Sequence, residues 1–596
     1  MRAWLRGIRL MLSIGWETGP AVFMSFIGVS LVASLGPMLF AFGLRPLVDG
    51  IYYHKTGSTV AGAVTCVIAL LMLLGAPSAV RWTTPRIRER SIMVMQRRLL
   101  TLSASSPGLA QFERPDYWDR LQLLKRNFGD LLMGMANALA GPLMLVQMLI
   151  VSVVLARLQP LLLVLPVLGV PAAWLNLRAE RLRMSGDSRA AAPRRAAQHL
   201  FTLASSAQSA KETRVYGLDE ELLGRHRTVA AEVGQLTEAA LVKSFAVSSA
   251  GWLLFSAGYA AASIIALRAA AAGRFTPGDV ALILTLATSL IAAASRLAQI
   301  AGLLMRAVTV AGHYHWLASH VIPASTRRRQ SPRAAIPAVL GHGYTLEDVS
   351  FGYAGSGRLA LSGVNLRLAA GSVVAIVGEN GAGKTTLVKL LCRMYEPSQG
   401  RILLDGADIA AMDIEEYRRR ISAGFQDFAR LELVIRESVG VGDLPRINDA
   451  GAVRTALQHA EARFVERLPD GLETQLGRSW ADGTDLSGGE WQKLALARTM
   501  MRPDAILSVF DEPTAALDPQ TEHALFERIA AATQQSASRG RITLLVSHRF
   551  STVRMADLIV VLGEGKVLEQ GSHSELMANR GLYAELYGLQ ARAYRF

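Results

Sequence analysis

The sequence has few of the residues that build disulfide scaffolds and metal clusters. Its 596 residues include only two cysteines, Cys66 and Cys392. Cys66 lies in a long apolar segment and Cys392 follows a glycine-rich loop in the other half of the chain, so we predict that they form no disulfide. No grouping of His, Cys, Asp and Glu has the spacing of a dedicated metal site. Function is therefore not expected to depend on a thiol pair or a metal cluster.

Charge is also scarce over long stretches of the N-terminal half. Five runs without a charged residue each reach about 20 residues or more, the length that a helix needs to cross a bilayer. These runs are residues 20–44, 58–80, 131–156, 158–177 and 244–267. A sixth apolar segment, 280–305, is interrupted only by Arg296. A buried soluble helix could explain one such run but hardly five, so we predict an all-α domain with six membrane spans.

Cationic residues are unevenly distributed among the connections between these spans. Ten Lys and Arg lie between the second and third spans and eleven between the fourth and fifth, against five in the other three connections. Because Lys and Arg accumulate on the cytoplasmic side, both termini are predicted to be cytoplasmic. The same distribution explains the net charge of +15 by contact with anionic lipid of the bilayer. Nucleic-acid binding is the weaker alternative, and we expect no nucleic-acid partner.

A glycine-rich loop marks a nucleotide site in the C-terminal half. Residues 378–385, GENGAGKT, match the pattern GxxxxGK[ST] in full, after an apolar run typical of a buried parallel strand. The loop amides would surround the phosphates, Lys384 would supply charge, and the Thr385 hydroxyl would bind Mg²⁺. The predicted ATP-binding residues here are Gly378, Asn380, Gly381, Gly383, Lys384, Thr385 and Thr386.

A second apolar run, ILSVFDE at 506–512, ends in two carboxylates. Asp511 would hold Mg²⁺ through water, and Glu512 would polarise the attacking water as general base. Phosphoryl transfer needs little from a protein beyond such positioning and charge stabilisation. The pair therefore predicts ATP hydrolysis, with ATP and Mg²⁺ as cofactors.

The segment DLSGGEWQ at 485–492 is the most specific of the motifs. It resembles the signature of ATP-binding cassette (ABC) transporters, where the signature of one copy completes the ATP site begun by the phosphate loop of another. The resemblance assigns this contact in trans to Ser487, Gly488, Gly489 and Gln492. Since the chain contains one cassette and no repeat of it, we expect a dimer, most simply a homodimer, with a heterodimer as the alternative.

The same resemblance implies roles for four single residues. Gln426, in GFQD, resembles the Q-loop residue that senses Mg²⁺ and water, and His548, in LVSHR, resembles the switch histidine that contacts the γ-phosphate. Tyr353 resembles the aromatic residue that stacks on adenine, and Asp518 resembles the D-loop aspartate. Each would alone be taken for an ordinary structural residue, but their order along the chain favours the ABC interpretation. Gln426, Glu512 and His548 are the predicted catalytic residues, and Thr385, Gln426 and Asp511 the predicted metal ligands.

The two basic connections, about 50 and 66 residues long, are too long for simple turns. They resemble the exporter-type (type IV) ABC transmembrane domain, in which membrane helices continue into the cytoplasm and return through short coupling helices. The resemblance places Tyr117 and Trp118 in the first coupling helix and Tyr216 in the second, as contacts to the ATPase. The alternative to coupling helices is that these segments are ordinary solvent-exposed connections between helices.

Four parts of the chain are predicted on this basis. Residues 1–18 form a basic, amphipathic interfacial elbow helix, for which a signal peptide is the alternative, although no small-residue cleavage site follows. Residues 19–319 form the six-span domain with its coupling helices, 320–340 a linker rich in proline and arginine, and 341–596 an α/β P-loop ATPase of the ABC type.

The transported molecule is less clearly indicated. The strings FQDF and LSGGEWQK resemble bacterial exporters of modified peptides such as lantibiotics, with multidrug and lipid exporters as close alternatives. An importer that uses the exporter fold, for example for siderophores, is less favoured. Arg296 would either meet an anionic cargo or lie at the inner end of the sixth span. No cysteine peptidase domain precedes the spans, so another protein would cut any leader peptide.

These features together predict ATP-driven export across a bacterial inner or plasma membrane by alternating access. Two alternatives come from other classes of protein. A soluble ABC ATPase would share the nucleotide motifs but lack the spans, and an ATP-gated channel or nucleotide sensor would share both. Only uphill, vectorial flux separates the channel from the exporter.

Overall fold

The computed structural model describes residues 2–104, 106, 108–206, 209–328, 334–512, 540–547 and 553–593. The chain divides into two compact units, of which the helical unit comprises Met1–Ser103 and Trp118–His320. The ATPase unit comprises Ala104–Tyr117 and Val321–Phe596. Sequence patterns placed 104–117 within the membrane domain, whereas the structure groups this segment with the ATPase.

The helical unit begins with a separate amphipathic helix and continues through long helices joined by short turns. The helices are α1 (Arg2–Glu17), α2 (Pro20–Tyr52), α3 (Thr56–Ala104), α4 (Pro115–Arg126), α5 (Phe128–Leu158), α6 (Val164–Arg189), α7 (Ala191–Ser205), α8 (Ala210–Val215), α9 (Asp219–Ala271) and α10 (Pro277–Arg328). The end of α3, the start of α4 and the end of α10 fall in the ATPase unit. α10 extends into the segment that was predicted to be a linker.

Six helices are long and apolar enough to cross a membrane among the residues that the structure describes, which confirms the predicted number of spans. α3, α9 and α10 contain 49, 53 and 52 residues. At about 1.5 Å per residue they are more than twice as long as a hydrocarbon core of about 30 Å is thick. Arg296 is exposed, and α10 continues beyond it to Arg328.

The helical unit is held by close approach of small residues and by one polar cluster. A Cβ atom on Gly186 would lie 2.3 Å from the Cβ of Ala240, so α6 and α9 pack tightly at this point. Where α2 ends and α10 begins, Asp49 accepts hydrogen bonds from the Thr276 hydroxyl at 2.9 Å and the Gly278 amide at 2.8 Å. These contacts fasten the first and last spans to each other at one end.

The ATPase unit contains two β-sheets with helices packed around them. The strands are β1 (Gly343–Phe351), β2 (Leu361–Ala369), β3 (Val373–Val377), β4 (Gln399–Leu404), β5 (Ala407–Asp408), β6 (Ile421–Gly424), β7 (Leu507–Asp511), β8 (Ile542–Val546), β9 (Leu558–Gly563) and β10 (Lys566–Gly571). The helices are α11 (Lys384–Leu391), α12 (Ile414–Arg419), α13 (Ile435–Gly440), α14 (Ala450–His459), α15 (Gly488–Met500), α16 (His573–Asn579) and α17 (Leu582–Ala593). This unit confirms the predicted α/β class of the second domain.

The sheet order explains where a site can form. The smaller sheet has the order β2-β1-β4-β5 and is antiparallel, whereas the larger has the order β10-β9-β3-β8-β7-β6 and is parallel except for β10. Every residue of β3, β7 and β8 is buried, which explains their continuous apolar sequences. Because the strands are parallel, the loops that follow β3 and β7 emerge at the same edge of the sheet.

Candidate active site

The glycine-rich loop joins the end of β3 to the start of α11. Gly378, Gly381 and Gly383 have φ angles of 151°, 85° and 101°, values that other residues rarely adopt. A Cβ atom on Gly378 would lie 2.2 Å from the Leu562 carbonyl oxygen, so this position excludes any side chain. Asn380 and Gly381 are exposed at the tip of the loop. The loop thus presents backbone amides ahead of a helix N-terminus, the arrangement that binds phosphate.

Lys384 is the first residue of α11 and is buried beneath the loop. Its ammonium donates to the carbonyl oxygens of Gly378 at 2.8 Å and Glu379 at 3.0 Å. Burial lowers the pKa of Lys384, and the carboxylates of Glu512 and Asp511 act in the opposite direction. The structure therefore brings the predicted lysine and both predicted carboxylates into one electrostatic cluster.

Asp511, the last residue of β7, is the best candidate for a metal ligand. Its side chain is buried, and neither carboxylate oxygen has a hydrogen-bond partner among the described residues. Burial raises the pKa of Asp511, while the nearby Thr385 hydroxyl and Lys384 ammonium lower it. An unpartnered buried carboxylate beside a hydroxyl matches the oxygen ligands that Mg²⁺ prefers. The residues present thus fit the metal ion that the sequence predicted.

Glu512 lies beyond the end of β7 in a conformation that is unusual for its residue type. Its φ angle is 47°, and its amide donates to the Val546 carbonyl oxygen of the neighbouring β8 at 3.0 Å. The side-chain amide of Gln426 donates through Nε2 to Glu512 Oε2 at 2.8 Å. Backbone strain of this kind is often retained where a side chain must point in one direction. The structure joins Gln426 and Glu512, two of the predicted catalytic residues.

Tyr353 lies beside the helix that follows the phosphate loop. Its hydroxyl is 3.1 Å from Thr386 Oγ1, and its ring meets Phe351 and Tyr395 edge-on at centroid distances of 5.1 and 5.5 Å. Lys389 Nζ lies 5.6 Å from the ring centroid. The side chain is only partly buried, so one part of it is accessible at the margin of the loop. Thr386 itself is buried and contacts Tyr353.

The signature segment forms the N-terminus of α15. Ser487 caps the helix, with its amide and its hydroxyl each 2.8 Å from Glu490 Oε2, while the Glu490 amide donates to Ser487 Oγ at 3.3 Å. Ser487 and Gly488 are exposed, Gly489 is partly buried, and a Cβ atom on Gly488 would meet no atom within 4 Å. This helix N-terminus is therefore open to a ligand.

Gln492 differs from the other signature residues that were predicted to act in trans. It lies in the second turn of α15 with only 8% of its surface exposed. The adjacent Trp491 is buried in the apolar core with 2% exposure. The signature is thus divided into an open N-terminal part and a buried part that anchors the helix.

The predicted coupling residues have unequal exposure. Tyr117 is 4% exposed and meets Phe112 edge-on at 5.4 Å, so it is a buried residue, and its predicted role as a coupling contact stays a prediction. Trp118 and Tyr216 are 46% and 71% exposed, and Tyr216 follows the short helix α8. His548 and Asp518 lie outside the described residues.

Sequence patterns missed the attachment of 104–117 to the ATPase unit. The Leu109 amide donates to the Met394 carbonyl oxygen at 3.1 Å, and the Leu109 side chain packs against the core beneath the smaller sheet. A Cβ atom on Gly108 would lie 2.9 Å from the same oxygen. Burial, with a further contribution from Glu113, raises the pKa of Tyr395. The one sequence signal for the contact with Met394 is Gly108, a glycine that precedes the predicted coupling helix.

Three comparisons with known proteins agree with this geometry. The family model described as "ABC transporter" matches residues 361–515. The chain is 30% identical over 584 residues to an ATP-dependent lipid A-core flippase of Chromobacterium violaceum, covering 96% of this chain and 94% of that protein. It is also 37% identical over 246 residues to the subtilin transport ATP-binding protein SpaT of Bacillus subtilis, covering 41% of this chain and 39% of that protein.

A solved structure resembles the chain over almost its full length. This is the structure of a bacterial Atm1-family ABC exporter with ATP bound, which has a TM-score of 0.81 and 23% sequence identity. The match covers 96% of this chain and 98% of the other. At this identity the comparison shows a shared fold.

Proposed function

This chain belongs to the ABC transporter family as an exporter-type half-transporter, and we propose that two copies form a homodimer that exports a peptide or an amphipathic small molecule from a bacterial cell. Its ATPase couples ATP hydrolysis to transport. The cargo, the homodimer and the direction of the termini are the parts that we propose. Alternating access, driven by closure of the two cassettes on ATP, would link ATP hydrolysis to transport of the cargo.

The open N-terminus of α15 is the observation that carries the proposal of a dimer. Ser487 and Gly488 are exposed on a helix N-terminus that suits a phosphate group, yet they belong to a different segment from the phosphate loop. A second copy would bring its own phosphate loop to this surface. Two equal sites would then form across a two-fold axis.

The positions of the side chains support the hydrolytic roles that we propose. Lys384 would contact the β- and γ-phosphates once they displace its ammonium from the loop carbonyls. Glu512 would accept a proton from the attacking water, and Gln426 would keep that carboxylate oriented. Asp511, Thr385 and Gln426 would hold Mg²⁺, which when bound neutralises charge on the phosphate oxygens. We propose that His548 contacts the γ-phosphate, Tyr353 the adenine and Asp518 the partner cassette.

The cargo is proposed from the relatives and from the apolar character of the spans. One relative, which matches over nearly its whole length, is named a lipid A-core flippase, and another, which matches over 39% of its length, is named a subtilin transport protein. The first name indicates a lipid and the second indicates subtilin as the molecule that is moved. The full-length match favours a lipid-like cargo as the second candidate, ahead of a siderophore importer.

The bacterial cell membrane is the proposed location, with both termini in the cytoplasm. The unequal distribution of Lys and Arg among the connections supports this orientation. In inside-out vesicles the ATPase units would then face the added nucleotide. Vesicles of the opposite orientation would need ATP inside.

Transport into sealed inside-out vesicles tests the proposed function. We expect ATP to drive accumulation of a fluorescent amphipathic peptide or a labelled lipid against its gradient, and Glu512→Gln to abolish it. The two probes separate peptide from lipid export. Loss of a preloaded probe from the vesicles on addition of ATP would instead indicate import, and downhill leakage alone would indicate a channel.

A further inference from the structure

A cavity of about 380 Å³ lies within the helical unit, between α6, α9 and α10. Its polar lining includes Glu180, Arg183 and Asp187 on α6 and Gln299 and Arg306 on α10. The volume lies in the range of small-molecule sites, roughly 300–1,000 Å³. None of these residues belongs to the nucleotide site.

The charged groups around the cavity are only partly satisfied by one another. Arg306 lies 3.5 Å from Glu180 Oε1, but its Nε–H is buried and has no hydrogen-bond partner among the described residues. Arg183 is exposed and forms no ion pair with a residue that the structure describes. Asp187 is held loosely by Arg194 at 3.7 Å. Guanidinium donors therefore remain available on two helices that face the same space.

The cavity also has an apolar side, formed by Leu241 of α9 and Leu303 of α10. Arg183 follows the uncharged run that ends at residue 177, and Leu241 precedes the run that begins at 244. The cavity thus lies where the apolar spans give way to charged helix. A ligand here could place a charged head among the arginines and an alkyl part against the leucines.

We infer that this cavity binds the anionic head, a carboxylate or phosphate, of an amphipathic molecule, with Arg183 and Arg306 as the binding residues. Guanidinium groups suit such oxyanions because their N–H donors match two oxygens at once. The leucines add selectivity for an ion that carries an alkyl chain. Only the identification of this molecule with the cargo rests on the proposed export function, because binding itself requires no nucleotide.

Equilibrium binding to the full-length protein tests the inference. The protein would be placed in phosphatidylcholine nanodiscs without nucleotide and titrated with decyl phosphate, decanoate, decyltrimethylammonium and inorganic phosphate. We expect the two anionic amphiphiles to bind saturably and at least about tenfold more tightly than inorganic phosphate or the cationic amphiphile. Binding of inorganic phosphate with equal affinity would overturn the assignment to an amphipathic ligand.

Variants of single arginines locate the site. Arg183→Gln should weaken decyl phosphate binding at least about tenfold, as expected when a hydrogen-bonded charge is lost. Arg306→Lys keeps the charge opposite Glu180 but removes the guanidinium fork, and should weaken binding by a similar factor. Arg181→Gln is the matched control, since Arg181 is an exposed arginine of α6 that does not line the cavity.

Three outcomes would contradict the inference. These are equal affinities for Arg183→Gln and wild type, equal weakening by Arg181→Gln, and equal binding of the cationic amphiphile. Melting temperatures within a few degrees of wild type would show that the variants are folded. Because no nucleotide is present, these results are independent of whether Glu512→Gln stops transport.

Discussion

The phosphate loop and the signature both lie at helix N-termini suited to phosphate, but they differ in how closely the rest of their own cassette packs against them. At the loop, Gly378 and Gly383 have positive φ and lie against neighbouring strands, and Lys384 already contacts the loop carbonyls. At the signature, Ser487 and Gly488 are exposed, and a Cβ atom on Gly488 would meet no atom within 4 Å. One element is organised within its own cassette, whereas the other is organised to receive something from outside. The difference supports the proposal that a single cassette would hold ATP on one side only.

Loss of the loop lysine or of the general base should have the largest effect. Lys384→Ala should abolish nucleotide use, because it removes the ammonium that lies against the loop carbonyls. Glu512→Gln should bind ATP but hydrolyse it about 10²–10⁴-fold more slowly, since proton abstraction from water is lost. Steady-state ATPase assays and size-exclusion chromatography with ATP would measure this, and the variant should remain a closed dimer. Near-normal turnover of Glu512→Gln would rule out its role as base.

The signature serine can be compared with a second serine that caps a helix in the same way. Ser572 forms the same reciprocal cap with Glu575 at the start of α16. Ser487→Ala and Ser572→Ala should each cost about 1 kcal/mol of stability through the lost cap. Only Ser487→Ala should also reduce ATPase activity, by about tenfold or more, because it removes a hydrogen bond to phosphate. Equal activity of the two variants would contradict a phosphate-binding role for Ser487.

Substitution of two glycines should distinguish an effect on stability from an effect on the proposed contact between copies. Gly378→Ala should lower the melting temperature by about 4–8 °C, because the new Cβ would clash with the Leu562 carbonyl and φ is 151°. Gly488→Ala should leave the melting temperature within a few degrees of wild type, since its Cβ would meet no atom within 4 Å. It should nevertheless reduce ATPase activity if a partner loop approaches this point. Differential scanning fluorimetry beside ATPase assays measures both effects.

Asp511 gives the smallest and most specific effect. Because burial raises its pKa, the ionised carboxylate destabilises the fold at neutral pH when Mg²⁺ is absent. Asp511→Asn should therefore raise the melting temperature by about 2–4 °C without Mg²⁺ and nucleotide. This gain should shrink as the pH falls through the pKa of the wild-type carboxyl, where the wild-type side chain becomes neutral.

A metal titration completes this comparison. Wild type should be stabilised by Mg²⁺ with ATP, and Asp511→Asn should require a higher Mg²⁺ concentration for the same effect. Identical Mg²⁺ dependence in the two proteins would show that Asp511 does not hold the metal. A matched titration with Ca²⁺ would reveal how far the site depends on ion size.

Much of the fold followed from short-range sequence patterns. Uncharged runs predicted six spans because a bilayer excludes charge, and the apolar strand before Gly378 predicted β3 because a strand buried on both faces shows no polar alternation. The proximity of Gln426 and Glu512 followed only from the resemblance to a family, since 85 residues separate them along the chain.

Other features depend on contacts between distant residues, which spacing does not reveal. Tyr117 is buried, which the motif around it does not indicate. Gln492 is buried because the rotation of α15 turns it toward the core, whereas the motif alone suggested a surface role. The attachment of Leu109 to Met394 and the cavity beside Arg306 arise from packing between segments far apart in sequence.

Pairing of two different inactive copies tests the shared ATP site most directly. Differently tagged Lys384→Ala and Ser487→Arg chains would be co-expressed and purified as mixed dimers. If each site combines the loop of one copy with the signature of the other, one intact site remains and about half of the wild-type ATPase activity should be recovered. A mixed dimer of wild type with the double variant should then be inactive. Activity in the second mixed dimer but not in the first would contradict the shared site.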